Sequence, residues 1–332
     1  MPECRFDVLG LGNAIVDVIA RADDDFLQRE GLGKGSMSLV DEARAKHLYD
    51  RMGAGTIISG GSAANTIVGI ASFGGKTAFI GKVKQDQAGN AFTHDIQAVG
   101  VSFSTSAAVA GPATAHCLVL VTPDGERTMN TFLGACQNLT VADVEKATVE
   151  SAAITYLEGY LWDPPHAKEA FVKAASIAHG AGRKVALTLS DSFCVDRYRD
   201  EFLELIRNKT VDIVFANQHE LKALYLSADL DSAVTALREE NVLGIVTLSE
   251  AGSLVVTRDS TRAVPAFPID KIVDTTGAGD LFAAGFLYGL STNRDYADCA
   301  RLGALAAAEV IQHFGARPEQ GLRQLALDSG LI

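Results

Sequence analysis

Apolar segments of strand length recur along the chain, and longer stretches with helical periodicity separate them. The strand-like segments are Phe6–Leu11, Thr77–Val83, Ile154–Tyr160, Lys184–Ser190, Val211–Asn217 and Gly244–Ser249. Residues Pro165–His179 are typical of the helical stretches between them. Strands that alternate with helices predict a mostly parallel sheet covered by helices, so the pattern indicates an α/β fold.

Two regions, Lys34–Val40 and Thr114–Phe132, depart from this alternation. The second has the pattern of a hairpin, with its turn at Pro123-Asp124-Gly125. We expect short strands from both regions to form a flap beside the main sheet. Farther along, Gly252–Arg258 and Thr261–Phe267 predict one more antiparallel pair.

Composition and charge narrow the class of partner. The chain has 332 residues, of which 48% are hydrophobic and 21% charged, so it can bury a large core. Its 29 Lys and Arg against 41 Asp and Glu give a formal net charge of −12. No Lys/Arg-rich run offsets that charge, which argues against nucleic acid or an anionic membrane as partner. No apolar run is long enough to span a bilayer, so we expect a cytoplasmic protein that binds a small molecule.

The cysteine and histidine positions indicate neither a disulfide framework nor a zinc site. The five cysteines stand far apart without CxxC spacing: Cys4, Cys117, Cys136, Cys194 and Cys299. The seven histidines show no HExxH or other ligand spacing. We therefore predict reduced core thiols.

The segment VDTTGAGDLFAAGFLYGL, residues Val273–Leu290, places an acid among glycines. The glycines on either side of Ala278 predict a tight turn, and the apolar positions that follow predict a buried helix. The first amides of such a helix can hold an anion. Asp280 lies at the same helix start, where it can accept a proton from an alcohol or simply cap the helix.

Two other glycine-rich stretches do not complete a known phosphate-binding pattern. GLGNAI, Gly10–Ile15, has Ile15 where a dinucleotide-binding fingerprint needs its third glycine. GGKT, Gly74–Thr77, has Ile70 where a P-loop needs its first glycine. Any phosphoryl transfer must therefore use another scheme.

The stretch DTTGAGDLFAAGFL resembles the C-terminal signature of the ribokinase-like (PfkB) family of carbohydrate and nucleoside kinases. Residues Gly60–Phe92, GGSAANTIVGIASFGGKTAFIGKVKQDQAGNAF, resemble the family's N-terminal signature. The resemblance implies a three-layer α/β/α sandwich with a mostly parallel central sheet and a small β lid. It also implies a single kinase domain over residues 1–332, with lid strands from about 14–40 and 104–136.

Positions of the phosphate site follow from the same resemblance. It implies that Asp280 is the catalytic base and that the anion hole is formed by Gly277, Ala278 and Gly279. Asp274 and Thr276 are implied to share a K⁺ site beside that hole. NQHE, Asn217 to Glu220, is similar to the family's NxxE motif, in which the glutamate organises Mg²⁺ and its waters. TLSEAG resembles the nucleotide-contacting turn, so the implied ATP contacts are Thr247, Ser249 and Gly252.

The acceptor site is implied in the same way. GNAIVD resembles the family's GNxxxD, which assigns Asn13 and Asp17 to the vicinal hydroxyls of a sugar. Gly60, Gly61 and Asn65 would complete that sugar site. GERTMNTFLGA resembles a lid strand whose arginine, here Arg127, reaches the phosphates. A purine would lie in a slot walled by Met37, Met129 and Phe193.

Within the family, the members that phosphorylate adenosine are the most similar. The implied reaction is ATP-dependent phosphorylation of the 5′-hydroxyl of adenosine to AMP, a purine-salvage step, with Mg²⁺ and K⁺. The alternative is the same mechanism acting on another nucleoside or a free sugar. Rivals of other classes are a non-catalytic nucleoside sensor and a dinucleotide-dependent oxidoreductase. The sequence leaves a monomer and a homodimer equally open.

Overall fold

A computed structural model describes residues 4–332, which form two β-sheets flanked by helices. The first three residues of the predicted domain lie outside this range. The larger sheet has nine strands and the smaller sheet has five. The predicted α/β architecture, with a large central sheet and a small lid, is therefore confirmed.

The larger sheet is parallel except at one edge. Its strands in spatial order are β14 (Thr261–Val264), β13 (Ser253–Val256), β12 (Leu243–Thr247), β11 (Ile213–Asn217), β10 (Lys184–Thr188), β9 (Ala152–Glu158), β1 (Phe6–Leu11), β5 (Thr77–Ile80) and β6 (Ser102–Phe103). The strands from β12 to β6 pair in parallel, whereas β13 and β14 are antiparallel. The predicted antiparallel pair is this edge.

The smaller sheet is the lid. Its strands in spatial order are β3 (Met37–Leu39), β8 (Arg127–Phe132), β7 (Ala115–Val121), β2 (Ile15–Arg21) and β4 (Gly55–Gly60). β7 and β8 form the predicted hairpin. β4 pairs with β2 from outside the ranges predicted for the lid, because a six-residue segment bounded by glycines carries little strand signal of its own.

Helices flank the two sheets. In chain order they are α1 (Asp24–Glu30), α2 (Glu42–Arg51), α3 (Ser62–Ser72), α4 (Gln87–Ala98), α5 (Lys146–Glu150), α6 (Pro165–Gly180), α7 (Ser192–Arg207), α8 (Gln218–Tyr225), α9 (Leu230–Glu239), α10 (Ala278–Ser291), α11 (Tyr296–Val310) and α12 (Leu322–Asp328). Helices α3, α4, α10, α11 and α12 contribute to the core on one face. Helices α5 to α9 contribute to the core on the other face. No helix in the described range is long and apolar enough to cross a membrane.

The apolar cores differ greatly in size. Each face of the larger sheet has an extensive cluster of buried side chains. The lid has a separate small cluster, in which Val18, Leu48 and Leu118 are buried and Leu32 and Met52 pack against them. The lid's separate cluster is therefore much smaller than either cluster of the larger sheet.

Candidate active site

Polar residues collect at the carboxyl-terminal edge of the parallel strands. Asn13 follows β1, Glu158 ends β9, and Asn217 and Thr247 end β11 and β12. Parallel strands end on the same side, so these side chains share one edge, where α/β sheets bind ligands. Helices α3 and α10 pack together and begin beside this edge.

The turn before α10 presents free backbone amides. Gly277 has a left-handed φ of 80°, and a Cβ on it would lie 2.7 Å from the Cα of Ala316, so glycine is required there. Ala278 donates its amide to the Thr275 carbonyl at 3.2 Å. In residues 4–332, the amides of Gly277, Gly279 and Asp280 have no acceptor. Free amides at a helix start form a site for a phosphoryl oxygen.

The Asp280 carboxylate is oriented by α3 and does not cap its own helix. Its Oδ1 accepts from Ser62 Oγ at 2.6 Å, and its Oδ2 accepts from Asn65 Nδ2 at 3.0 Å. The N-cap is Gly277, which has no side chain, so the capping role that the sequence left open is not the one adopted. Burial raises the pKa of Asp280, although these two hydrogen bonds oppose the rise. The arrangement is that of a fixed carboxylate beside the free amides.

Asn13 is held by a buried glutamate that sequence reasoning missed. Glu158, 1% exposed, accepts from Asn13 Nδ2 at 2.6 Å, from the Ala63 amide at 2.8 Å and from the Asn13 amide at 3.3 Å. Burial raises the pKa of Glu158 to about 7. Because Nδ2 is committed to Glu158, the Asn13 side chain has its Oδ1 left to offer. An acid at the end of a buried strand was the available sequence signal.

Two glycines make room for neighbouring parts of the site, Gly60 for the Asp17 carboxylate and Gly61 for the Asn13 carbonyl. A Cβ on Gly60 would be 2.4 Å from Asp17 Oδ2, and a Cβ on Gly61 would be 2.2 Å from the Asn13 carbonyl. Gly61 also has a left-handed φ of 96°. Burial raises the pKa of Asp17 to about 6, against the attraction of Arg317 and Arg127. The five residues predicted for the sugar hydroxyls thus lie together, with Gly60 beside Asp17, Gly61 beside Asn13, and the Asn65 amide donating to the Gly61 carbonyl at 2.8 Å.

Arg127 reaches from the lid to the turn before α10. Its Nη2 lies 2.5 Å from Asp274 Oδ2, and its Nη1 donates to Thr276 Oγ1 at 3.2 Å. Asp274 also accepts from the Thr276 amide and hydroxyl, at 3.0 and 2.8 Å, and from the Gly315 amide at 3.0 Å. The carboxylate predicted to help hold K⁺ is therefore already surrounded by donors, one of them a cation. K⁺ fits at Asp274 only if Arg127 moves away.

The residues predicted for ATP and Mg²⁺ lie at the ends of β11 and β12. Asn217 donates its amide and its Nδ2 to the two Glu220 oxygens at 3.0 and 2.5 Å. Burial raises the pKa of Glu220 to about 7, with Asp191 adding to the rise. Residues 4–332 contain no group of three His, Cys, Asp or Glu side chains that could hold a metal. A lone, hydrogen-bonded carboxylate fits Mg²⁺ held mainly through waters and phosphates.

The turn after β12 is shaped by its glycine. Ser249 has a φ of 54° and Gly252 a φ of 91°. A Cβ on Gly252 would lie 2.2 Å from the Val264 carbonyl, so this position is needed for the turn itself. Thr247 ends β12 beside that turn. Their contacts to ATP stay a prediction.

The three predicted purine walls, Met37, Met129 and Phe193, lie on three different elements. Met37, on β3, is paired with Met129 of β8 and is 38% exposed. Phe193, in the first turn of α7, is 59% exposed, with the Arg197 guanidinium 4.7 Å from its ring centre. The Met37 and Phe193 side chains are accessible to a ligand, and the role of all three as purine walls stays a prediction.

Comparison with known proteins decides the family. The family model described as "pfkB family carbohydrate kinase" matches residues 37–320. The chain belongs to the pfkB family. The predicted family and fold are confirmed, and the chain is a phosphotransferase with an alcohol group as acceptor. Kinases of this family use ATP and Mg²⁺.

Individual pfkB kinases align over almost the whole chain. The solved structure of an adenosine kinase from Sinorhizobium meliloti is 53% identical, with a TM-score of 0.93, covering 98% of this chain and 99% of that one. A probable sugar kinase from Rhizobium etli is 51% identical, with a TM-score of 0.94, covering 99% and 100%. Adenosine kinase of Saccharomyces cerevisiae is 29% identical, covering 92% and 94%. The chain is thus similar to pfkB kinases of two acceptor classes.

Proposed function

We propose that this kinase transfers the γ-phosphoryl group of ATP to the 5′-hydroxyl of adenosine, giving AMP and ADP. The main support for phosphoryl transfer is the Asp280 carboxylate, which Ser62 and Asn65 orient within one helical turn of free backbone amides. The similarity to the adenosine kinase from Sinorhizobium meliloti favours adenosine as the acceptor.

Each part of the site has a task in this reaction. Asp280 accepts the proton of the 5′-hydroxyl while the oxygen of that hydroxyl attacks the γ-phosphorus of ATP. The amides of Gly277, Gly279 and Asp280 donate to the moving phosphoryl oxygens, and Arg127 adds positive charge from the lid. Asn13 and Asp17 hold the ribose hydroxyls, and the lid excludes water that would otherwise hydrolyse ATP.

The metal ions have separate supporting tasks. Glu220 would hold Mg²⁺ through water molecules, and the ion would neutralise charge on the phosphates. Asp274 and Thr276 would hold K⁺ once Arg127 had left Asp274, and the ion would then add positive charge beside the turn before α10. A reaction that consumes ATP and a nucleoside fits the cytoplasm, and the protein acts there as a monomer or a homodimer.

A second candidate is a free-sugar kinase with the same mechanism. It is favoured by the 51% identity to the probable sugar kinase from Rhizobium etli. Asn13 and Asp17 suit vicinal hydroxyls of a ribose ring whether or not a base is attached. The residues that would separate the two acceptors are Met37 and Phe193, which only a base would contact.

An ADP-release assay with adenosine, inosine, guanosine, cytidine, ribose and fructose separates these candidates. We expect adenosine to give the highest kcat/KM, and a large preference for a free sugar would refute the adenosine assignment.

The variant Asp280→Asn tests the base. We expect turnover to fall by roughly 10²–10⁴-fold while acceptor binding is kept, because only proton transfer is lost. Asp229→Asn is the matched control, since Asp229 is an exposed N-cap of α9 with no assigned role in the site, and asparagine caps equally well. Near-normal turnover of Asp280→Asn would rule out this base.

A further inference from the structure

Arg317 stands next to the base without belonging to any motif used above. It follows α11 and donates from Nε to Asn65 Oδ1 at 3.4 Å, while Asn65 Nδ2 donates to Asp280. The guanidinium is therefore separated from the base by a single amide. Among residues 4–332, neither Nη1 nor Nη2 of Arg317 has a hydrogen-bond partner, and Nη2 is buried.

The charges nearest Arg317 are carboxylates. Asp95 and Asp17 both attract its guanidinium, while burial lowers the pKa of Arg317 to about 10 and still leaves it charged at neutral pH. In the described structure no carboxylate oxygen lies within the 4.0 Å of an ion pair with Arg317. Asp17 and Arg317 therefore attract each other across a gap.

A partly buried guanidinium with free donors is costly unless a ligand satisfies it. A hydroxyl group suits a gap between a carboxylate and a guanidinium, because it donates to the first and accepts from the second. We propose that Arg317 binds the acceptor, an inference that rests on the proposed function. The guanidinium donates a hydrogen bond to the oxygen of a sugar hydroxyl, and the same hydroxyl donates a hydrogen bond to Asp17.

The same surroundings define the class of acceptor. An anionic acceptor, such as a sugar phosphate or a sugar acid, would face Asp17, Asp280 and Glu158. Arg127 is paired with Asp274 in this structure and serves the phosphates of ATP in the proposed reaction, so its charge is not available to the acceptor. A neutral acceptor with vicinal hydroxyls meets no such repulsion, so Arg317 selects for hydroxylated over deoxygenated neutral acceptors.

The test compares hydroxylated and deoxygenated acceptors in Arg317→Met. Adenosine, 2′-deoxyadenosine and 3′-deoxyadenosine are assayed for kcat and KM with the native protein and the variant. A hydrogen bond to a charged group corresponds to about tenfold to hundredfold in kcat/KM. We expect the native preference for adenosine over one deoxy analogue to shrink by that factor in the variant, mainly through KM.

This comparison separates binding from positioning. If Arg317 only orients Asn65, all three acceptors lose kcat equally and the preference is unchanged, which would overturn the proposal. Arg323→Met is the matched control, because it removes the same charge from an exposed site on α12. Arg317→Lys, which keeps a charged donor, restores part of the preference and covers the case in which the methionine variant fails to fold.

Failure of the adenosine assignment gives a different result. In that case adenosine is not turned over, and the comparison is repeated with ribose and 2-deoxyribose. An unchanged preference in Arg317→Met for that pair overturns the role of Arg317 independently of the nucleobase.

Discussion

Replacing Glu158 with glutamine should stabilise the protein at high pH while weakening acceptor binding. Burial raises the pKa of Glu158 from its usual 4.5 to about 7. Each tenfold change in proton affinity is worth about 1.4 kcal/mol, so keeping this carboxylate ionised costs about 3 kcal/mol of folding free energy above pH 7. Because the pKa in the folded state is the higher one, the contribution of Glu158 to stability is complete below pH 4.5 and is lost as the pH rises through 7.

Urea denaturation of the native protein and of Glu158→Gln from pH 5 to pH 8.5 measures this effect. The difference in free energy of unfolding, variant minus native protein, should increase by up to about 3 kcal/mol between pH 5 and pH 8.5. Glu169→Gln, on the exposed face of α6, is the matched control because it makes the same change of side chain outside the core. Parallel pH profiles for Glu158→Gln would refute the burial argument.

The same substitution has a functional consequence. A glutamine can accept from the Ala63 amide, but its Nε2 then faces Asn13 Nδ2, so donor meets donor and the Asn13 amide must turn over. Asn13 would then offer Nδ2 where it now offers Oδ1. We expect the acceptor KM to rise about tenfold, the value of one hydrogen bond. An unchanged KM would mean that Asn13 does not contact the acceptor.

Two further substitutions test the frame of the site. Gly61→Ala should lower the free energy of unfolding by at least about 1–2 kcal/mol and raise the acceptor KM, because φ is left-handed and the new Cβ meets the Asn13 carbonyl. Gly180→Ala, where a Cβ meets nothing within 4 Å, is its control in the same urea titration, and equal losses would contradict this reason. Arg127→Met leaves the Asp274 carboxylate buried without its cation, which should cost about 3–5 kcal/mol. At constant ionic strength K⁺ should then raise the melting temperature of Arg127→Met more than that of the native protein, and equal responses would show that K⁺ and Arg127 do not share Asp274.

Local patterns predicted much of the fold. The strands around the site are apolar segments of the right length, and the hairpin of β7 and β8 has an explicit turn sequence. The helix after Gly279 was also foreseeable, because its apolar positions repeat with helical periodicity. β4 was not predicted for the lid, since its place depends on pairing with β2 across the chain rather than on its own six residues.

The candidate site was predictable where its residues lie in continuous motifs. Asp280, Asn65 and Asp17 stand in such motifs, and the structure brings them together. Glu158 and Arg317 were missed because each acts through a partner that is distant in sequence, Asn13 in one case and Asn65 in the other. The contact of Arg127 with Asp274 likewise could not be read from either segment alone.

The small core beneath the lid affects how the protein unfolds locally. The lid's separate apolar cluster of Val18, Leu48 and Leu118 is far smaller than the clusters of the larger sheet, so we expect the lid to open at a lower free energy than that sheet. Amide protons of β2, β7 and β8 should therefore exchange with solvent sooner than those of β9 to β11. An acceptor that binds Asp17 on β2 and Asn13 after β1 links the two sheets, so it should slow exchange in the lid strands selectively. Hydrogen exchange of individual lid amides would then measure acceptor binding as an increase in local stability, without any catalytic turnover.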